Sequence, residues 1–286
     1  MEYKDKKISF VLFAYNEEYR ISYVIKNLKL YGQVYVLDGG STDNTRRIVE
    51  SLGAVFSERP KIPYAHVETE EMFEFVKKLV PTSWVYWGYV DNLLPGTLLE
   101  KMKDIASESR YKYVYLPIYT YLWGETKHPV IKASYPCFFR KEFMDFRGNP
   151  MHSMGKFIGE KKDIINLPMK DEYAIRHFSL YNLEKFVNGH LRYALAEAEL
   201  KHQAGKKFTL FYMFGSMANY FWLFYKRGWR AGIKGLYIAL LYVFFRLMVA
   251  VRLYELDRHM SLEGIESDFA KAKKQLVEDV EQVKNG

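Results

Sequence analysis

The chain has 286 residues, 49% of them hydrophobic and 17% aromatic, which is enough for one large domain or for a domain with a smaller appendage. A single cysteine, Cys137, excludes an internal disulfide framework and fits a reducing compartment. The formal net charge of +8 resides between Lys201 and Met260, where ten Lys/Arg occur against two Asp/Glu. These cations are spread among long apolar runs and no nucleic-acid motif occurs, so an anionic membrane surface is favoured over nucleic acid as their partner.

From residue 8 to residue 90 the sequence alternates apolar runs typical of buried strands with segments of helical periodicity. The strands are predicted at residues 8–14, 33–38, 54–58 and 84–90. The helices between them are predicted within residues 15–32, 45–53 and 63–81. This order predicts crossover units and a largely parallel sheet, whose ligand lies at the carboxyl ends of the strands. The loops at residues 14–18, 38–45 and 91–94 are therefore the predicted ligand-binding edge.

After residue 96 the pattern is more mixed, with a change in composition near residue 180. A helix is predicted at residues 96–109, strands within 111–123 and 135–143, and a long helix within 179–205. The last segment, residues 262–286, is an amphipathic helix that is expected to pack on the body of the protein or on a sister subunit. Homo-oligomer formation through the C-terminal helices is therefore a further expectation.

Two apolar stretches, residues 208–225 and 236–251, lie between these helices. The first is at the length limit for spanning a bilayer but contains polar residues, and the second is short and interrupted by Arg246. We interpret both as helices that lie in the plane of a membrane interface. Insertion as a hairpin, and an ordinary buried core or oligomer contact, stay open as alternatives.

The stretch "VLDGGSTDNT" ends a strand with Asp38 and continues into two glycines. Gly39 and Gly40 allow a sharp turn and a close approach to a ligand. Helix capping accounts for Ser41 and Asp43 but not for Asp38, which is expected to point into the crevice and to accept hydrogen bonds from a base or ribose.

"FAYNEE" followed by "VYVLDGGSTDNT" resembles glycosyltransferase family 2, which has the A-type nucleotide-sugar fold, over about residues 7–95. The later "HFSLYNLEKFVNGHLRYALAEA" and the basic apolar tail resemble the subgroup that extends bacterial lipopolysaccharide core or related surface glycans. The resemblance implies an α/β A-type fold with a C-terminal helical, membrane-associating region. It also implies that Ala14, Asn16, Glu17 and Asp38 hold the nucleotide, and we add Tyr15, Gly39 and Gly40 of the same two loops to the predicted nucleotide site. Arg59 is a further predicted nucleotide-binding residue that reaches the diphosphate, with capping of a strand end as the alternative.

In this family the segment that matches Asp91 ends in an Asp-x-Asp motif, which binds Mg²⁺ or Mn²⁺ on the diphosphate. Here Tyr89 stands in the place of the first aspartate and Asn92 in the place of the acid that follows. Three explanations stay open. Asp91 with the diphosphate holds the metal, or the enzyme is metal-independent with His or Lys/Arg on the phosphates, or the chain is a non-catalytic relative.

Inverting enzymes of this kind use one carboxylate as the base that deprotonates the acceptor hydroxyl. The acidic side chains of the acceptor half are Glu142, Asp145, Glu160 and Asp163, for each of which surface charge is the default reading. His152 is the better candidate for contacting phosphate or acceptor, with a structural histidine as the alternative, while Ser153 replaces a glutamate that is often found there. His177 matches a histidine that is often seen at that point in the family.

We therefore predict a nucleotide-sugar-binding catalytic domain at residues 1–180, a basic apolar membrane-associating region at 181–260 and an amphipathic helix at 261–286. The expected activity is hexosyl transfer from a UDP-sugar to a lipid-linked or lipid-anchored glycan, with inversion, in bacterial surface polysaccharide or lipopolysaccharide biosynthesis. Asp91 and His152 are the predicted catalytic residues. The sequence starts without a secretory apolar run, which predicts a peripheral location on the cytoplasmic face of the inner membrane. A degenerate nucleotide- or lipid-binding scaffold is the alternative.

Overall fold

A computed structural model describes residues 7–61, 67–108, 110–149, 153–179 and 182–285 of the chain. It divides into two compact units. The first unit contains Met1–Asn182 and Arg227–Lys234, and the second contains Leu183–Lys226 and Gly235–Gly286.

The first unit is built on a mixed sheet that, in the described residues, has nine strands. Its strands, with those of a separate two-stranded sheet (β8 and β9), are β1 (Ile8–Ala14), β2 (Gln33–Asp38), β3 (Val55–Glu58), β4 (Trp84–Tyr89), β5 (Asn92–Leu93), β6 (Tyr113–Leu122), β7 (Ile131–Arg140), β8 (Met144–Asp145), β9 (Lys156–Phe157), β10 (Ile164–Asn166) and β11 (Ile175–Ser179). The order across the large sheet is β3-β2-β1-β4-β7-β6-β11-β5, with β10 also paired to β6. The pairs among β1 to β4 are parallel, and β7 runs antiparallel to both of its neighbours. The predicted fold class, a mixed and mainly parallel sheet followed by C-terminal helices, is confirmed.

Four helices accompany these strands in the described part of the first unit. They are α1 (Ile21–Leu28), α2 (Thr45–Ser51), α3 (Glu70–Leu79) and α4 (Gly96–Ser107). The apolar spacing that predicts α1 corresponds to its buried face, and β1 is buried along its whole length because both faces of the sheet are covered. The core continues through Trp84, Trp87 and the aromatic residues around them.

The helix predicted within residues 63–81 is shorter than expected. It begins at Glu70, because Thr69 is extended and its hydroxyl accepts a hydrogen bond from the Met72 amide at 3.2 Å. A threonine in this position is an N-cap, and the helix begins at the residue that follows it. Residues 63–66 of the predicted helix lie outside the described residues.

The registers place three strand ends at one edge of the sheet. Ala14 at the end of β1 pairs with Asp38 at the end of β2, and Phe13 pairs with Tyr89 at the end of β4. The loops that follow these strands therefore meet, as the rule for parallel sheets predicts.

The second unit contains helical segments from α5 (Leu183–Gln203), α6 (Leu210–Gly228), α7 (Ile233–Asp257) and α8 (Leu262–Asn285). By length and composition, α7 alone among the described helices is apolar enough to cross a membrane, with a mean hydropathy of 2.0 over its most apolar 18 residues. The side chains described along α8 are exposed apart from the half-buried Ile265, so the expected packing of this helix is not found against the described residues of the second unit. Packing on a sister subunit stays a prediction.

Candidate active site

The loop after β2 is organised by the side chain of Asp38. One carboxylate oxygen accepts hydrogen bonds from the amides of Gly40 at 2.8 Å and Ser41 at 2.6 Å, and the other accepts from the Ser41 hydroxyl at 2.5 Å. Asp38 is 2% exposed. Its three hydrogen bonds hold the turn that Gly39 and Gly40 make, and its contact with a base or ribose stays a prediction. Gly40 has a φ of +96°, a conformation that glycine adopts without strain.

The loop after β1 is tied to this turn by Asn16. Its amide donates to the Ser41 hydroxyl at 2.7 Å, and its side-chain oxygen accepts from the Thr42 amide at 2.8 Å. The Glu17 amide donates to the Thr45 hydroxyl at 2.8 Å. The "YNEE" and "GGSTDNT" motifs therefore form one cross-linked structure. Tyr15, 57% exposed, extends from its rim.

Arg59, just after β3, lies against the same turn. Its amide donates to the Asp38 carbonyl at 3.0 Å, and a Cβ placed on Gly39 would lie 2.6 Å from one guanidinium nitrogen. The Nε atom is buried and has no hydrogen-bond partner in the described part of the chain. Burial lowers the pKa of Arg59, partly offset by the charge of Asp38. A cation so placed is suited to a phosphate.

Asp91 follows β4 and meets His177 of β11. Its Oδ2 atom lies 3.2 Å from His177 Nε2, and its Oδ1 atom is buried without a hydrogen-bond partner among the described residues. Burial acts to raise the pKa of Asp91, but the charge and hydrogen bond of His177, together with the charge of Arg20, outweigh it and lower the pKa. Burial acts to lower the pKa of His177, and Asp91 reverses the effect and raises it. The pair is thus electrostatically coupled.

The imidazole of His177 is held on its other side by Thr120. The two residues are paired neighbours on the parallel strands β6 and β11, and the Thr120 hydroxyl lies 3.1 Å from His177 Nδ1. Thr120 is buried. Its contact fixes the direction in which Nε2 points.

The two departures from the Asp-x-Asp pattern have structural partners. The Tyr89 hydroxyl hydrogen-bonds the carboxylate of Glu68, which is buried just before α3. Asn92 is buried and its amide donates to the Tyr86 hydroxyl at 3.5 Å. The side chain of Asn92 therefore faces the interior. Tyr89, in contrast, places the carboxylate of Glu68 next to the end of β4.

The four acidic residues considered as bases have other roles. Asp145 is chelated by Arg147, whose hydrogen bonds lower its pKa to about 2. Glu142 accepts from the Ser83 hydroxyl, and Glu160 and Asp163 cap a short turn together, with Lys112 bonded to Asp163. The ion pairs of Asp145 and Asp163 stabilise their ionised forms and make them poor proton acceptors, whereas Glu142 and Glu160 are exposed at the surface. His152, the other candidate, lies outside the described residues.

A cavity of about 210 Å³ adjoins Asp91. Its walls are Arg20, Tyr23, Val90, Asp91, Leu93 and Phe178. Among the described residues no three His, Cys, Asp or Glu side chains cluster as a metal site. Asp91 and His177 nevertheless suit a divalent cation that also binds a diphosphate, because one or two protein ligands are enough there and Asp91 Oδ1 is buried without a partner.

No protein-family model matches the chain. An uncharacterized glycosyltransferase of Rickettsia typhi is 26% identical over 263 residues, which cover 88% of each chain. Glucosyl-3-phosphoglycerate synthase from Mycobacterium tuberculosis, in complex with Mn²⁺, UDP and glucosyl-3-phosphoglycerate, is 23% identical with a TM-score of 0.32 over 42% of this chain and 46% of that one. A mannosyltransferase from Pyrobaculum calidifontis in complex with GDP-Man and Mn²⁺ is 14% identical, with a TM-score of 0.41 over 94% of this chain and 80% of that one.

The similarity to a relative named as a glycosyltransferase, over nearly the whole length of both chains, supports a glycosyltransferase function. Likeness to the two solved structures is too low to transfer a ligand or the role of a residue. Membership of glycosyltransferase family 2 and of its lipopolysaccharide subgroup stays a prediction.

The structure brings together the residues predicted to bind the nucleotide, since the loops after β1, β2 and β3 meet around Asp38. Sequence reasoning missed Thr120 and Glu68. Thr120 is a polar residue within an apolar strand, and Glu68 is followed closely by the two acids that begin α3, so neither pattern indicates a site. In the sequence His177 is indicated only by the family resemblance, because its contact with Asp91 depends on the pairing of β11 with β5 and β6.

Proposed function

We propose that this protein transfers a hexose from a UDP-sugar to a lipid-linked glycan, with inversion at the anomeric carbon, at the cytoplasmic face of a bacterial membrane. The observation that carries the proposal is the cross-linked pair of loops after β1 and β2, which stands at the same sheet edge as Asp91. A fold alone does not give a function, so the argument rests on what these residues can do.

The nucleotide would lie against the two loops. Gly39 and Gly40 allow the backbone of the loop to approach the nucleotide closely. The exposed ring of Tyr15 offers a face on which a base can stack. Arg59, whose Nε has no hydrogen-bond partner in the described chain, would bind the diphosphate. Asp38 acts indirectly, because it shapes the turn.

Asp91 and His177 are the residues that would hold Mg²⁺ or Mn²⁺. A bound cation would neutralise charge on the departing diphosphate. Thr120 would orient His177 for this role, as partners of metal-bound histidines do. One carboxylate is then enough, because the histidine supplies the second protein ligand.

The acceptor hydroxyl must lose a proton as its oxygen attacks the anomeric carbon. Asp38 and Asp163, the other buried acids of the described residues, are committed to the β2 turn and to Lys112. Glu68 is the third buried carboxylate, and the hydroxyl of Tyr89, at the end of β4 and beside the predicted ligand edge, donates a hydrogen bond to it. We assign Glu68 as the general base that removes the proton from the acceptor hydroxyl.

The function is tested by incubating the full chain with a panel of UDP-hexoses and Mn²⁺, and by measuring UDP release with and without a lipid extract. We expect release with at least one donor, its loss in EDTA, and its loss in Asp91→Asn. UDP binding without release from any donor would contradict the proposal and favour the scaffold alternative.

A further inference from the structure

Helix α6 exposes a continuous apolar stripe. Phe211, Phe214, Ala218 and Trp222 follow one another at intervals of three and four residues and are all exposed, Phe211 by 90% and Trp222 by 56%. This spacing places them on one face of the helix. Contiguous apolar surface of this kind marks a binding face.

Helix α7 has a stripe of the same type. Tyr237, Leu240 and Phe244 are exposed at intervals of three and four residues. On the opposite side of α7, Phe245, Arg246 and neighbours at helical spacing are buried. The helix is therefore apolar on both sides, and among the described residues of the second unit it packs through the buried side.

Arg246 shows which side of α7 belongs to the core. It is 4% exposed, and its guanidinium donates to Glu197 of α5 at 2.7 Å, to Ser216 of α6 at 2.7 Å and to Tyr212 of α6 at 3.0 Å. An arginine with these partners is satisfied inside the helical unit. The arginine that interrupts the apolar run thus fixes α7 against α5 and α6 and leaves the stripe on the other side.

The charges around these stripes have one sign. Between Glu199 and Glu255 the sequence has no acidic residue and nine Lys/Arg. Within the second unit, Lys206 and Lys207 lie exposed just before α6, and Lys226 is exposed near its end. Exposed aromatic and aliphatic side chains with flanking cations are typical of helices that lie in the headgroup region of an anionic bilayer.

We propose that the apolar stripes, defined by Phe211, Phe214 and Trp222 of α6 and by Tyr237, Leu240 and Phe244 of α7, insert into the interface of an anionic bilayer. The two helices then lie in the membrane plane and do not cross it. The inference deepens the proposed function, on which it rests for the lipid-linked acceptor. It names the surface that brings the enzyme to that acceptor.

The test is flotation of the full chain with vesicles of phosphatidylcholine alone or with 30% phosphatidylglycerol. We expect binding to the anionic vesicles, weaker binding to the neutral ones, and loss of the difference at high salt. Phe211→Ser and Trp222→Ser should each lower the partition coefficient by about 10-fold or more, since each removes a large apolar side chain from lipid. The matched control is Phe269→Ser, which changes an aromatic residue of α8 that is also 56% exposed.

A second measurement needs no serine variant and therefore does not depend on whether those variants fold. It follows the quenching of tryptophan fluorescence in the unaltered chain by brominated lipids. We expect quenching that is reduced in Trp222→Phe, a change that keeps the side chain apolar and preserves flotation. Equal binding to both vesicle types, equal loss in Phe269→Ser, or no quenching would overturn the proposal. So would a lipid-free dimer that Phe211→Ser makes monomeric, because the stripe would then be a subunit interface.

Failure here is distinguishable from failure of the proposed function. A chain that ignores vesicles but binds UDP and releases it from a UDP-sugar keeps the transferase assignment and loses the membrane face. If the chain floats with vesicles but binds no UDP, the donor site is refuted and the membrane face remains.

Discussion

Replacing Asp38 by asparagine separates a turn-forming role from direct contact with a nucleotide. The carboxylate accepts three hydrogen bonds, two of them from the backbone amides of Gly40 and Ser41. An asparagine oxygen can keep those two bonds but loses the charge that strengthens them. Bonds to a charged group contribute about 1.5–3 kcal/mol and neutral ones about 0.5–1.5 kcal/mol. The loss is therefore about 1 kcal/mol for each amide bond, or about 2 kcal/mol for the two, while the Ser41 hydroxyl can turn to accept from the new amide NH₂ group.

The assay is urea unfolding at 25 °C, followed by the fluorescence of the buried Trp84 and Trp87, with titration of UDP on the same samples. We expect Asp38→Asn to be about 2 kcal/mol less stable and to bind UDP more weakly, because the turn is looser. Asp104→Asn, an exposed change on α4, is the matched control and should stay within about 0.5 kcal/mol of the unaltered chain. Unchanged stability together with a more than tenfold loss of UDP affinity would refute the reasoning, since Asp38 would then contact the nucleotide itself.

Three further substitutions test the site. Thr120→Val should weaken Mn²⁺ binding by about 10- to 100-fold, measured by the EPR signal of free Mn²⁺, whereas Thr120→Ser should bind Mn²⁺ like the unaltered protein. Equal affinity in all three proteins would contradict the orienting role of Thr120. Gly39→Ala should displace Arg59 and weaken UDP binding by about 10-fold or more with the fold intact, as seen by circular dichroism, and unaltered affinity would show that Arg59 does not reach the diphosphate. Glu68→Gln should lower kcat by about 10²- to 10⁴-fold while UDP affinity stays the same, whereas unaltered turnover would remove Glu68 as the base.

The sheet and its ligand edge follow from local patterns. The apolar runs of β1, β2 and β4 and the helical spacing of α1 depend on residues that are close in the sequence, and the strand-end rule then places the loops after Ala14 and Asp38 side by side. Their mutual hydrogen bonds were not predictable in detail. The role of Asp38 depends on the backbone path of the turn, which a sequence does not display.

The rest of the site depends on contacts between distant segments. His177 meets Asp91 across 86 positions of the chain, and Thr120 meets His177 across 57. Such contacts are set by the order of strands in the sheet. Burial likewise changes the interpretation of Arg246. In the sequence this residue interrupts an apolar run, whereas in the structure its guanidinium is buried and hydrogen-bonds Glu197 of α5, which holds α7 against α5.

The most direct test of the central claim is calorimetric titration of the full chain with UDP, in Mn²⁺ and in EDTA, for the unaltered protein and for Asp91→Asn. The account predicts that Mn²⁺ tightens UDP binding by about 10-fold or more in the unaltered protein, since the cation joins the diphosphate to Asp91 and His177. It also predicts that Asp91→Asn binds UDP equally in Mn²⁺ and in EDTA. Absence of UDP binding, or a Mn²⁺ effect that survives in Asp91→Asn, would contradict it.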